Sequence, residues 1–230
     1  MESGAAEPYC PLMDRGDGGP AGPMLGAEEL AYLIGGAARV AEVALVGLIA
    51  YGRVRISGEG LLSMVHGPPP PVSPVQVVLQ NEIGVGARPV MTVLRAVARA
   101  METHHPLVGL KARRLVPDPL PRAYRKRQPA VPPPRTPVGE AAVRCAWHLA
   151  GGGRRGGGEV EALIDPGLLA WAAGLVAVGG LTAYPDPTVA AILASAMARA
   201  EAERKASDGG CGSYACGSGC GGGCGGGCGA

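Results

Sequence analysis

The sequence predicts a mainly α-helical protein with a small β-hairpin, organised as two winged-helix-like units, an Ala-rich helical segment and a disordered tail. Three observations lead there. Apolar residues recur at helical spacing in several stretches that Gly and Pro bound. One stretch, 53–65, alternates as strands do around a Gly-Glu-Gly turn. From Asp208 to Ala230 almost every residue is Gly, with Cys211, Cys216, Cys220, Cys224 and Cys228 spaced by five, four, four and four positions.

Residues 1–26 mix Glu2, Glu7, Asp14 and Asp17 with Gly and Pro and read as a disordered N-terminus. The first unit is 27–67. Glu28 and Glu29 favour a helix start, Leu30, Leu33 and Ile34 share a face, and Gly35-Gly36 stops the helix. A second helix runs from Ala38 to about Tyr51, with Val40, Val43, Ala44, Leu48 and Ile49 as its buried positions. In Arg53-Val-Arg-Ile-Ser57, Val54 and Ile56 face one way and the arginines the other. Gly58-Glu-Gly60 then turns the chain into Leu61–Val65, which completes a hairpin. Helix, helix, hairpin is the order of a winged-helix unit.

Four consecutive prolines, 68–71, break the chain. The second unit is 72–116. Ser73 caps a helix with Pro74 at its first position, running through Val75 to Ile83. Pro89 opens another helix through Val90, Val93, Leu94 and Val97, and a third spans Pro106 to Arg114. Any wing in this unit is reduced to Leu115-Val116. Residues 117–137 hold eight prolines with Arg122, Arg125, Lys126, Arg127 and Arg135 and no apolar period, the composition of a linker. The Ala-rich region 138–206 contains a helix from Val138 to Leu149, the run Gly151–Gly158 around Arg154-Arg155, an uncharged stretch Pro166–Pro185, and a last helix from Thr188 to about Lys205. Residues 207–230 form the Gly/Cys-rich tail.

The chain has 39 Gly, 22 Pro, no Phe and 18 Arg against 3 Lys. This usage follows GC-rich codons, so Gly and Pro alone argue less for disorder here than they ordinarily would. A net charge of +2 gives no global pull towards nucleic acid or an anionic membrane. No basic n-region with an apolar h-region opens the chain, so no secretory signal is read, and the location expected is cytoplasmic or peripheral on the inner face of the cell membrane. Length permits Pro166–Pro185 to cross a hydrocarbon core of roughly 30 Å. Its Ala and Gly content favours a buried helix in a small bundle instead.

Thiolates are good ligands for zinc or an iron–sulfur cluster, so the five tail cysteines are the candidate metal ligands. Zinc knuckles and ferredoxin-type sites usually open with two cysteines three positions apart. The repeat here is four apart with no nearby histidine, and a flexible tail with free or modified thiols is the competing reading. Gly84-Val-Gly86 and the Gly151–Gly158 run lack the preceding strand of a phosphate loop. His66, His104, His105 and His148 have no acid or thiol at a spacing that fixes a catalytic constellation, and no Gly-x-Ser-x-Gly elbow occurs, so no enzyme is expected. Lys111, Arg113, Arg114, Arg122, Arg125, Lys126 and Arg127 could meet nucleic-acid phosphates or anionic lipid headgroups, yet a solvated linker is the favoured account of them. The helix Ala38–Tyr51 offers only Arg39, balanced by Glu42, as a recognition element, which disfavours nucleic acid.

Glu29-Leu-Ala-Tyr-Leu-Ile-Gly-Gly36, the block from Asp165-Pro-Gly-Leu-Leu-Ala-Trp171 to Tyr184-Pro-Asp-Pro-Thr-Val-Ala-Ala191, and the Cys220, Cys224, Cys228 ending resemble one bacterial family of membrane proteins. Its members pair two winged-helix-like units with transmembrane helices, an Ala/Leu-rich segment and a Gly tail with regular Cys. The resemblance covers about residues 27 to 116 and 138 to 230. It implies membrane association, although here a polar N-terminus and the Pro/Arg stretch stand where the family has anchors. It implies no catalytic residue. The expectation is a non-enzymatic interaction or scaffold protein, membrane-associated, with an unknown protein partner and no cofactor. The alternatives are a thiol or metal module and a nucleic-acid-binding winged-helix protein.

Overall fold

The computed structural model describes residues 24–65, 73–122, 124, 132–152 and 163–208. In chain order the elements are α1 (Ala27–Ala50), β1 (Val54–Ile56), β2 (Leu61–Met64), α2 (Pro74–Ile83), β3 (Arg88–Pro89) and α3 (Val90–Val97). A 3-10 turn (Met101–His104) leads to α4 (Pro106–Ala112) and α5 (Pro137–Ala150). Then come α6 (Pro166–Leu169), α7 (Ala172–Gly179), a second 3-10 turn (Leu181–Ala183) and α8 (Pro187–Asp208). The protein is mainly helical with a small three-stranded antiparallel sheet.

α1 is the central element. Its residues are apolar on nearly every side, and Leu30, Tyr32, Leu33, Val40, Leu45 and Leu48 are fully enclosed, as a helix surrounded by partners requires. α7 packs along it, with α2, α3, α4 and α5 around the remaining faces. The expected stop at Gly35-Gly36 is a sharp break within α1: Gly36 has φ 68° and ψ −159°, a conformation open essentially only to glycine. The break frees carbonyls at the end of the first half, and Arg135 takes two of them. Its Nε donates to Leu33 O at 2.8 Å and its Nη2 to Ile34 O at 3.1 Å, a cation on a helix C-terminus.

The hairpin pairs Val54 with Met64 and Ile56 with Leu62. The third strand differs from expectation. Leu115 and Val116 are buried but form no strand, and Arg88-Pro89, between α2 and α3, pairs with Leu62 and Leu61 instead. Pro89 has no N–H to donate, which suits an edge position. The sheet thereby joins the two helical sets, whose apolar residues share one core. α2 starts as Ser73 and Pro74 predict: Ser73 Oγ accepts from Gln76 N while Ser73 N donates to Gln76 Oε1.

Pro166–Pro185 is not one helix. Trp171 and Gly180 (φ 78°) divide it into α6, α7 and the second 3-10 turn. The longest piece, α7, has 8 residues, or about 12 Å of helix, too short to span a hydrocarbon core of roughly 30 Å. Gly174, Val176, Ala177 and Val178 are buried against the bundle. α1 is the helix that is long and apolar enough to cross a membrane by length and composition among the described residues. Its best window has a mean hydropathy of 1.8, and 56% of that window is buried inside the protein.

The described part of 117–137 is docked rather than free. Leu120 and Tyr124 are buried, Thr136 Oγ1 bonds Arg114 O at 2.6 Å, and Arg135 bridges to α1. Proline blocks regular structure in such a segment but does not prevent its side chains from packing.

Candidate functional site

Cys211, Cys216, Cys220, Cys224 and Cys228, the candidate metal ligands, lie outside the described residues, as do Cys10, His66, Arg125, Lys126 and Arg127. Among the described residues no group of three or more His, Cys, Asp or Glu is placed to hold a metal ion. Cys145 is half-buried on α5.

Two features stand out. The first is a polar cluster against α1, buried at its two tyrosines and half-buried at His104. Tyr32 is completely enclosed, and its hydroxyl lies 2.7 Å from His104 Nδ1 and 3.2 Å from the Tyr124 hydroxyl. The Tyr32 and His104 rings meet edge to face, with centroids 5.7 Å apart. Burial pushes the Tyr32 phenol well above its ordinary range, reinforced by its bond to Tyr124. Burial also holds His104 below the usual imidazole value, since desolvation disfavours the charged form of either group. Sequence spacing alone assigns His104 no partner. The helical turn before Pro106 instead brings its ring onto α1.

The second is an apolar groove of about 270 Å³ between the C-terminal ends of α5 and α7, lined by Trp147, Ala150, Leu175, Val178 and Ala183. Trp147 is 52% exposed on its rim, and Trp171, at the start of α7, is 45% exposed. These are the chain's two tryptophans. A smaller cavity of about 210 Å³ opens between the hairpin turn, α3 and α8, where Arg95 and Arg199 stand beside Glu59 and Glu203. There Arg199 Nη2 donates to Glu59 O at 2.7 Å, so α8 grips the turn, and Arg95 bonds Ala200 O.

The basic residues flanking α4 are partly committed to internal pairs. Arg113 lies 2.6 Å from Glu29, and Lys111 lies 2.8 Å from Asp118. Arg39 meets Glu42 at 3.1 Å and donates to Val176 O. Burial raises the Glu42 carboxyl above its ordinary value, opposed by Arg39 and a backbone bond from Leu181. Gly84, Val85 and Gly86 follow a helix rather than a strand, with Val85 fully exposed.

Tyr124, Arg135 and Trp147 carried no signal as site residues in the sequence, and Tyr32 entered only as part of a family-like motif. A phenol on an otherwise apolar helix face, or one Arg in a proline run, was the available hint. No family model, curated protein or solved structure matches the chain.

Proposed function

We propose that this protein is a non-enzymatic interaction or scaffold module that works at or near a membrane, with two winged-helix-like units in its body and the Cys tail as an attachment element. The single observation that carries the reading is the apolar groove beside Trp147. The chain's two tryptophans are half-exposed, whereas Tyr32 and His104 bond each other and Arg135 caps a helix end. An exposed indole beside an apolar depression, as Trp147 is here, is the type of residue that anchors partner proteins. The order of two helix halves, hairpin and second helical set supports the winged-helix-like description. The pairing of Arg39 with Glu42 leaves no free basic recognition helix in the first unit, which argues against nucleic acid.

A photo-crosslinking residue at position 147, with a control at exposed Val85, tests this in full-length protein in its own host. The expected result is one discrete adduct from 147 in the membrane fraction and none from 85. Adducts at neither position, or the same ladder at both, count against the reading. The thiolate chemistry of the five tail cysteines carries a second reading, a thiol or metal module binding zinc or an iron–sulfur cluster. Stoichiometric metal that is lost on replacing all five by serine would promote it.

A further inference from the structure

Tyr32, His104 and Tyr124 come from stretches 72 and 92 residues apart, counted from Tyr32. Their hydrogen-bond arithmetic depends on one proton. With the imidazole neutral and its hydrogen on Nε2, a tautomer assigned from the bonding pattern, Tyr32 donates to His104 Nδ1 and Tyr124 donates to the Tyr32 oxygen. Every hydrogen inside the cluster then has an acceptor. A proton on Nδ1 reverses the chain: the imidazolium donates to Tyr32, Tyr32 turns its hydrogen to Tyr124, and the Tyr124 hydrogen is displaced. Tyr124 is 7% exposed, so its hydrogen reaches water only when its segment lifts. If Tyr124 keeps donating to Tyr32, the Tyr32 hydrogen itself is left unmet in the core. Either arrangement penalises the closed state.

Among the described residues no charged group pairs with the His104 ring, Arg122 of the strap included. α1, α2 and α4 pack against the turn that carries His104. Of their charged groups and immediate neighbours, Glu29 is held by Arg113, Lys111 by Asp118, Glu42 by Arg39 and Glu82 by Arg88. Glu28, Glu102 and His105 form no hydrogen bond with the His104 ring among the described residues.

We propose that His104 is an acid-operated latch: protonation at Nδ1 unhooks Tyr124 and releases the strap of residues 117–122 and Tyr124 from α1. Burial of the ring supports a switch below the ordinary imidazole value, which is about 6.5. Release exposes Leu120 and Tyr124, both covered in the closed state.

The test is exchange of the amides the strap has, those of Asp118, Leu120, Arg122 and Tyr124, in the intact protein at about pH 7.5 and about pH 5, corrected for intrinsic rates. The Tyr124 amide donates to Pro121 O at 3.1 Å when closed. The strap should open several-fold more at the lower pH, because the open state binds the His104 proton more tightly than the closed one. Residues 40–48 of α1 should keep their protection. H104N retains an acceptor for Tyr32 but does not titrate, so its strap should stay closed at both values. Y124F removes the hook, and its strap should exchange fast at both. In the unaltered protein the His104 ring resonance should titrate with the same midpoint as strap opening, a reading that needs no variant. Strap exchange independent of pH, an equal response in H104N, or α1 opening in step with the strap would overturn the proposal.

Discussion

α1 and α8 are similar in length, 24 and 22 residues, and opposite in what holds them. α1 is enclosed by other elements over most of its surface. α8 buries a narrow stripe, Leu193, Ala196 and Ala200, against α3 and the second 3-10 turn, and from Glu201 to Ser207 every residue is exposed. The enclosed helix is the broken one, and the half-free helix carries no such break. The enclosed helix changes direction between its partners, and Gly36 permits that. A helix supported on one side by a short stripe follows local propensity, and Ala, Glu, Arg and Lys supply it.

The contrast is tested most severely inside α1. Leu45 is fully buried, and Leu45→Ala should cost about 2–5 kcal/mol through lost burial and a residual cavity, read from the urea midpoint. An equal loss from Ala202→Gly in the exposed half of α8 would remove the distinction. Gly36→Ala should follow at about 1–3 kcal/mol, because a Cβ is strained at that backbone conformation. If Gly36→Ala is neutral, the break is incidental rather than required. Arg135→Ala leaves the Leu33 and Ile34 carbonyls without their cation and should cost about 1.5 kcal/mol. Arg135→Lys should recover only part of it, since an ammonium lacks the fork that reaches both oxygens.

How much of this was legible in the sequence follows the range of the interactions. The helix starts at Ser73 and Pro74, the stop at Gly36 and the hairpin around Gly58-Glu-Gly60 depend on residues a few positions apart, and local patterns encode them. The cap from Arg135 onto Ile34 spans 101 residues, and no local pattern can announce it. The same holds for Tyr32 and Tyr124. Pro166–Pro185 misleads for another reason: hydropathy adds up over a stretch whether or not its backbone is continuous, so a divided segment of Ala and Gly scores like a single helix. The third strand at Arg88-Pro89 is too short, and too close to Pro89, to show any alternation.

The smallest effect belongs to the far end of α8, where Glu201 faces Lys205 at 2.9 Å one turn away and both are exposed. The Lys205 ammonium holds the Glu201 carboxyl below its ordinary value, but water and salt screen such a pair. Glu201→Gln should leave the thermal midpoint unchanged within error, at low salt and high salt alike. Amide exchange should quicken only beyond residue 200, because an i to i+4 pair supports the turn it spans and nothing in the body leans on that turn. A shift of the whole unfolding transition in this variant would mean that the exposed half of α8 is coupled to the core. The two helices would then differ in degree rather than in kind.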